Sequence, residues 1–179
     1  MIDAINRKTD SFRLLSGAEV NIKSDGCLDF DDELLKQLDV VIASVHTGFK
    51  QPAEQLTKRL VAAMKNPFVS IIGHPSGRLI GQREAYEVDM EEVLKTAAET
   101  GTAIEINAYP LRLDLTEPNV RLAKSMNVQL VISTDSHNSG QFDNMLYGVA
   151  VARRGWLEKK DVLNTLECSQ LLGKLRKKG

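Results

Sequence analysis

The sequence VVIASVH, at residues 40–46, decides the fold. It is short, continuous and rich in β-branched residues, which predicts a strand that is buried on both faces. The runs FVSIIGH (68–74), TAIEIN (102–107) and VQLVISTDSH (128–137) have the same character, and RLLSGAEVNI (13–22) predicts an earlier strand. Strands covered on both faces are typical of parallel sheets, so these runs favour an α/β fold.

Segments with helical spacing separate the strands. They are DDELLKQL, AEQLTKRLVAAM, DMEEVLKTAAETG and EPNVRLAKSMN. The third stops at Gly101, and the fourth begins with Glu117 and Pro118, which are normal helix ends. Strand and helix alternate about every 30 residues, which is the length of a βαβ unit and predicts a parallel sheet. The segment from Asp143 onward is predicted to form helices that cover the sheet.

Length and composition predict one globular domain over residues 1–179. Hydrophobic residues make up 42% and charged residues 26% of the chain, close to the globular average. No apolar run approaches the roughly 18 residues that span a bilayer, and the first residues do not form a signal peptide. We therefore expect a cytoplasmic protein without a membrane partner. Cys27 and Cys168 are too few and too far apart for a disulfide scaffold or a metal clip.

The charge balance limits the ways in which the chain could bind nucleic acid. Its 23 basic and 24 acidic residues give a net charge of −1. This lacks the basic excess of a domain that holds duplex DNA by phosphate neutralisation alone, so any contact with nucleic acid must be local. The basic run GKLRKKG (173–179) is predicted to be a solvated helix end.

Each of the four strongest strands ends in residues that can bind a metal or catalyse. They are His46, His74, Glu105 with Asn107, and Asp135 with His137. All three histidines of the chain are among them. In barrels and in open α/β sheets the carboxyl ends of the strands carry the functional site. A shared site is therefore favoured over core histidines that only bond to their neighbours.

These side chains favour metal-dependent hydrolysis. Neutral imidazole and carboxylate groups suit Zn²⁺, Mn²⁺ or Fe²⁺, and two or three such ions would activate water and hold the oxygens of a phosphate. The sequence contains no GxSxG, P-loop or GxGxxG motif. Glu19 joins the candidates because an unpaired carboxylate is costly to bury among the small and apolar residues of SGAEVNI. The alternative for Glu19 is an outward-facing strand residue.

Several motifs together resemble the C-terminal PHP (polymerase and histidinol phosphatase) domain of bacterial X-family DNA polymerases. They are SGAEVNI, VIASVHTGF, IIGHPSGRL, EINAYPLRLDL, STDSH and NMLYGVAVARRGWLEKKDVLNTL. The resemblance covers nearly the whole chain. The PLRLDL and ARRGWLEKKDVLNTL segments look like the polymerase version of the domain rather than histidinol phosphatase.

The resemblance implies a (β/α)7 barrel that holds up to three metal ions at the carboxyl ends of its strands. It implies that Glu19 bridges two metals, that His46 and His74 complete one site, and that Asp135 and His137 belong to the remaining two. Glu19 and Asp135 are the catalytic residues that we expect. The implied activity is phosphoester hydrolysis in DNA repair, as a Mn²⁺-dependent 3′ to 5′ exonuclease or 3′-end processing enzyme.

Asn107, Arg78 and Arg112 are weaker candidates for contacts with a substrate phosphate, and surface salt bridges are the alternative for both arginines. Two other functions stay open at this point. One is a non-catalytic structural or DNA-binding module of the polymerase. The other is a phosphatase of small molecules, of the histidinol phosphatase type.

The chain departs from the family pattern at its start. The HxH strand, the aspartate and the Asp-His strand that open a complete PHP domain do not occur before Glu19. We therefore expect an N-terminally truncated, incomplete barrel that lacks its first strands and the polymerase domains. Only the site of Glu19, His46 and His74 keeps all the ligands that the family implies, so a single Mn²⁺ or Zn²⁺ ion is expected. Exposed sheet edges predict self-association or a distorted opening strand.

Overall fold

The computed structural model describes residues 1–175, and its centre is a five-stranded parallel sheet. The strands are β1 (Gly17–Asn21), β2 (Val40–Ser44), β3 (Ile71–Ile72), β4 (Ala103–Asn107) and β5 (Leu130–Ser133). They lie in the sheet in the order in which they occur in the chain. A doubly wound sheet reverses its strand order at a switch point. The uninterrupted order therefore indicates part of a TIM-like barrel, and the predicted α/β fold class is confirmed.

Within residues 1–175, seven α-helices accompany the strands. They are α1 (Ile2–Asn6), α2 (Asp32–Leu35), α3 (Ala53–Lys65), α4 (Met90–Thr100), α5 (Glu117–Ser125), α6 (Met145–Arg154) and α7 (Cys168–Leu175). Short 3₁₀ helices cover Ser139–Asn144, Lys159–Asp161 and Leu163–Thr165. Helix α4 shows why the sequence signals were informative, because Asp89 caps its first turn and Gly101 ends it in the left-handed conformation. Within residues 1–175, no helix has both the length and the apolar character needed to cross a membrane.

Alternate residues of the strands pack into two separate cores. One core joins Val41 and Ile104 of the sheet to the apolar faces of α3, α4 and α5. The second core lies on the opposite face, where Ile71 contributes and Leu163 and Leu175 from the C-terminal segment are part of the same cluster. The segment after Asp143 thus covers the sheet as predicted. Residues 176–179 of the predicted basic helix end lie outside the described residues.

Strand β3 is much shorter than the predicted strand at residues 68–74. The Ser70 N–H donates to the Val41 carbonyl at 2.9 Å, and the Gly73 N–H donates to the Ala43 carbonyl at 3.0 Å, so the pairing with β2 continues slightly beyond β3. His74 then adopts a φ of 28° and the chain leaves the sheet. The left-handed backbone of His74 ends the strand and directs its side chain into the site described below.

The two edges of the sheet differ. Strand β1 pairs with β2 in regular parallel register over its whole length, so the opening strand is not distorted, and the alternative, self-association, stays a prediction. Among residues 1–175, β2 is the only strand that pairs with β1. At the opposite edge the side chain of Asn164 binds β5 as another strand would. Its Oδ1 accepts the Ile132 N–H at 2.7 Å, and its Nδ2 donates to the Ile132 carbonyl at 2.9 Å.

Candidate metal centre

Glu19, His46 and His74 converge at the carboxyl ends of β1, β2 and β3. Glu19 Oε1 lies 3.0 Å from His74 Nε2 and 3.3 Å from His46 Nε2. One ligand atom from each residue lies within 4.8 Å of the other two. The parallel register of neighbouring strands brings together residues that are far apart in the sequence. We call these three residues the triad.

The triad is electrostatically suited to a cation. The two imidazoles, His46 more than His74, hold the pKa of the Glu19 carboxyl well below its usual range. Burial is the largest single effect and lowers the pKa of His74, but the hydrogen bond to Glu19 and the negative charges of Glu105 and Glu19 together raise it above its usual value. The His74 side chain is 3% exposed, whereas Glu19 and His46 are 38% exposed and leave access from solvent. One carboxylate and two imidazoles form a donor set that fits a divalent metal ion.

Asn21 orients His46 and was not among the predicted site residues. Its Oδ1 lies 2.6 Å from His46 Nδ1, where a protonated Nδ1 donates to it. That tautomer leaves Nε2, the nitrogen nearest Glu19, with its lone pair free for a metal. Such outer partners are the usual way in which a ligating histidine is fixed. The only signal in the sequence was the position of Asn21 on the same strand face as Glu19, two residues later.

Two buried carboxylates that were not predicted as ligands anchor the loop after β3. Glu105 Oε2 accepts the His74 N–H at 2.6 Å. Asp114 Oδ2 accepts the N–H groups of Ser76 and Gly77 at 2.9 and 3.1 Å. Burial raises the pKa of both carboxyl groups. The sequence placed Glu105 at a strand end, but nothing in the PLRLDL segment showed that Asp114 would reach back to this loop.

Gly73 leaves the space that the side chains of Ser44 and Ile42 occupy beside the end of β3. A Cβ atom on Gly73 would lie 2.4 Å from Ser44 Oγ and 2.8 Å from Ile42 Cγ2, distances that real Cβ contacts essentially never show. It would also lie 3.5 Å from Glu105 Oε2. A side chain at this position would therefore displace the strand end that carries His74.

Asp135 and His137 do not join the triad in the part of the chain that the structure describes. Asp135 adopts a φ of 52°, and its Oδ2 accepts a hydrogen bond from Asn107 Nδ2 at 3.2 Å. The same oxygen lies 3.5 Å from Arg112 Nε. The His137 side chain is 79% exposed, and its Nδ1 lies 2.9 Å from the Asp135 carbonyl oxygen. Left-handed backbone at a residue other than glycine is strained and clusters at functional sites.

A cavity of 350 Å³ connects Asp135 with the triad. We call it the carboxylate cavity. It is lined by Glu19, Ile42, Glu105, Asn107, Ile132, Ser133, Thr134, Asp135 and Met145. Two of the predicted metal ligands, Glu19 and Asp135, thus face one space at the carboxyl ends of the strands, although they do not touch.

The two predicted substrate-binding arginines have different roles in the structure. Arg78 Nε donates to the Arg112 carbonyl at 2.6 Å, and its Nη2 donates to the Leu113 carbonyl. Its guanidinium therefore holds main chain in place. The side chain of Arg112 is 14% exposed, and its buried Nη1 has no hydrogen-bond partner among the described residues. Arg112 is thus the arginine that retains a donor for another group.

Arg59 of α3 connects the loops that follow β1 and β2. It is 1% exposed. Its Nε donates to the Lys23 carbonyl at 2.8 Å, its Nη1 to the Thr47 carbonyl at 3.1 Å, and its Nη2 to the Ile22 carbonyl at 2.5 Å. The helix thereby fixes the distance between the strand ends that carry the first two triad residues. Its position in an amphipathic helix did not distinguish it from an exposed arginine.

Known proteins are similar to this chain in sequence. No protein-family model matches the chain. It is 48% identical over 163 residues to the DNA polymerase/3′-5′ exonuclease PolX of Bacillus subtilis (strain 168), an alignment that covers 91% of this chain and 29% of that protein. It is 34% identical over 174 residues to a probable phosphatase of Thermoanaerobacter sp. (strain X514), covering 92% of this chain and 69% of the relative. A probable phosphatase of Clostridium novyi (strain NT) is 34% identical over 185 residues, with 97% and 72% covered.

The partial barrel, the donor set at its strand ends, and relatives named as a 3′-5′ exonuclease and as probable phosphatases support a phosphoesterase domain of the (β/α)-barrel class. The chain belongs to the PHP family, and within it the chain is similar to the PHP domain of X-family DNA polymerases. It spans less than a third of the length of the Bacillus subtilis polymerase that it matches.

Proposed function

We propose that this chain hydrolyses phosphodiesters at the 3′ ends of DNA, with a divalent metal ion held by Glu19, His46 and His74. The convergence of these three residues at the strand ends carries the proposal. Mn²⁺ and Zn²⁺ suit the donor set. When bound, such an ion acidifies water and neutralises charge on phosphate oxygens.

The neighbouring residues supply groups that the reaction needs. In the hydrolysis, the oxygen of water bonds to phosphorus, the bond from phosphorus to O3′ breaks, and a proton passes to O3′. Asp135 lies on the carboxylate cavity and is our candidate for accepting the proton of the attacking water, with Asn107 holding its carboxylate. The unpartnered Nη1 of Arg112 is our candidate donor to a phosphate oxygen.

DNA is the proposed substrate because the Bacillus subtilis relative is named as a polymerase and 3′-5′ exonuclease. The net charge of −1 supports a local contact with one strand end rather than a broad grip on duplex DNA. Polymerase domains are the proposed partners and would supply the remaining DNA affinity. A DNA substrate agrees with the cytoplasmic location predicted from the sequence. Self-association through the edge of β1 stays a prediction, which light scattering would test.

A second candidate is the hydrolysis of small phosphate esters. The relatives of which the chain spans about 70% are named as probable phosphatases, which favours it. This candidate uses the same triad and differs only in the group that the phosphate carries. The two are separated by comparing cleavage of a 5′-labelled oligonucleotide with cleavage of p-nitrophenyl phosphate.

The test measures metal content and both hydrolytic activities on the purified chain after loading with Mn²⁺ or Zn²⁺. His74→Ala should lose the ion and at least about 100-fold of the activity, since loss of an outer partner alone costs roughly 10- to 100-fold. His137→Ala is the control for metal content, because His137 lies outside the triad and should leave that ion bound. A loaded chain that cleaves neither substrate would refute the proposed activity and favour a structural or DNA-binding module. Unchanged metal content in His74→Ala would refute the ligand assignment.

A further inference from the structure

A second cavity opens on the other side of Asp135, and nothing described so far uses it. We call it the tyrosine cavity. It has a volume of 230 Å³ and is lined by Leu79, Tyr109, Arg112, Asp135, His137 and Gln141. Asp135 also lines the carboxylate cavity, so the two spaces adjoin at this residue. A ligand with one part at the triad can therefore place another part in the tyrosine cavity.

The tyrosine cavity has an aromatic and an apolar wall, Tyr109 and Leu79, beside four polar or charged side chains. Tyr109 is half-buried. Its main chain is held by Asn107 Oδ1, which accepts the Tyr109 N–H at 2.9 Å. Leu79 is fixed by two main-chain hydrogen bonds of 2.8 Å with Arg83. Apolar and aromatic walls with a few convergent polar groups are the pattern of a small-molecule site.

The guanidinium group of Arg112 indicates that a phosphate group would lie near Asp135, the residue that both cavities share. Arg112 lines the tyrosine cavity, and its Nε lies 3.5 Å from Asp135 Oδ2. Its buried Nη1 has no hydrogen-bond partner within the described part of the chain. A guanidinium in this position suits a phosphate oxygen. The group attached to that phosphate would then lie against Tyr109 and Leu79.

The size and walls of the tyrosine cavity suit a nucleobase. Sites for drug-sized ligands have volumes of roughly 300–1,000 Å³, so 230 Å³ suits a fragment such as one base. An aromatic side chain stacks on any base because every base has a π-face, which fits an enzyme that removes nucleotides regardless of sequence. We infer that the tyrosine cavity binds the base of the 3′-terminal nucleotide, with Tyr109 as the stacking residue and Arg112 on its phosphate. This inference rests on the proposed function and deepens it.

Binding of reaction products tests the inference without any turnover. Hydrolysis at the last phosphodiester releases a deoxynucleoside 5′-monophosphate. The affinities of the Mn²⁺-loaded chain for dAMP, 2-deoxyribose 5-phosphate and inorganic phosphate are measured by calorimetry. We expect dAMP to bind at least about fivefold more tightly than the sugar phosphate, because of stacking by the base. Tyr109→Ala should abolish this difference, and Tyr109→Phe, which keeps the ring, should retain it. Circular dichroism confirms that both variants are folded.

The outcomes separate this inference from the proposed function. Equal affinity of the unmodified chain for dAMP and for 2-deoxyribose 5-phosphate would overturn the base site and leave the phosphoester site intact. A dAMP preference that survives in Tyr109→Ala would overturn the assignment of Tyr109. If none of the three phosphates binds to the metal-loaded chain, the proposed function fails and the base site fails with it.

Discussion

The position of the His74 ring depends on the conformation and the hydrogen bond of its main chain. Its φ of 28° is unusual for a residue with a side chain, and such conformations cost about 1–3 kcal/mol. The Glu105 carboxylate accepts the His74 N–H. In the same loop, the Asp114 carboxylate accepts the N–H groups of Ser76 and Gly77. These carboxylates offset the strain and fix the point at which Nε2 meets Glu19. The position of a metal ligand is thus set by residues that are not ligands.

Replacing Glu105 should lower the affinity for the metal ion by more than general destabilisation of the fold explains. We expect Glu105→Ala to lower the affinity for Mn²⁺ or Zn²⁺ by roughly 10- to 100-fold, the usual cost of losing an outer partner. Glu105→Gln should have a much smaller effect because the amide keeps an oxygen that accepts the His74 N–H. Dissociation constants from calorimetry are compared with melting temperatures. Thr96→Ala, which alters a buried residue of α4, is the control for general destabilisation. An affinity loss in Glu105→Ala no larger than in Thr96→Ala would contradict this role.

The sequence was sufficient to predict the triad but not the residues that support it. The chain has only three histidines, and all three follow predicted strands. The alternation of strands and helices predicted a parallel sheet, in which the carboxyl ends of the strands lie at one edge. Asp114 and Arg59 act through main-chain N–H and C=O groups of distant loops. Such contacts leave no spacing pattern, because any loop of suitable shape presents the same groups. The division of roles between Arg78 and Arg112 likewise depends on loop geometry and not on residue type.

Helix α3 contributes to the site through one side chain. Arg59 satisfies three carbonyl groups in the two loops after β1 and β2, and its planar guanidinium does so in three directions at once. Burial lowers the pKa of this arginine, yet it has no carboxylate partner among these contacts. The helix therefore does more than cover the sheet, because it fixes the relative position of two triad-bearing strand ends.

Arg59→Lys should destabilise the chain by roughly 1–3 kcal/mol, because an ammonium group cannot reach all three carbonyls and at least one becomes a buried unsatisfied acceptor. The free energy of unfolding is measured by urea denaturation. Lys58→Ala is the matched control on the same helix, since Lys58 makes only an exposed pair with Glu54 and should change stability by no more than about 0.5 kcal/mol. Similar losses in the two variants would show that the carbonyl contacts of Arg59 contribute little.

The presence and order of the strands and helices were largely predictable from the sequence. The predicted bounds were wrong where tertiary contacts determine the end of an element. Helix α2 covers only Asp32–Leu35 of the predicted DDELLKQL segment, and Asp39, which lies between this helix and β2, binds Ser16. Strand β3 is shorter than its apolar run because His74 turns away. In both places a contact that is distant in the sequence outweighs local propensity.

Metal binding should stabilise the whole molecule. A ligand that binds only the folded chain adds about 2.7 kcal/mol at a concentration 100 times its dissociation constant. For a chain of this length each kcal/mol raises the melting temperature by roughly 2–4 °C, so a rise of about 5–10 °C is expected with Mn²⁺ or Zn²⁺. Scanning fluorimetry measures the rise, and a chelator should reverse it. The same rise in His74→Ala would mean that the ion binds elsewhere.

Asn164 determines which edge of the sheet can accept another strand. Because its amide occupies the main-chain groups of Ile132, a further strand finds its place beside β1 and not beside β5. A strand that joined β1 in parallel would finish next to Glu19, the carboxylate of the triad. Any ligands that such a strand carried would therefore reach the site from the Glu19 side, whereas Asn164 already binds the main chain of Ile132 at the opposite edge. The number of ions that the site can hold therefore depends on what pairs with the β1 edge of the sheet.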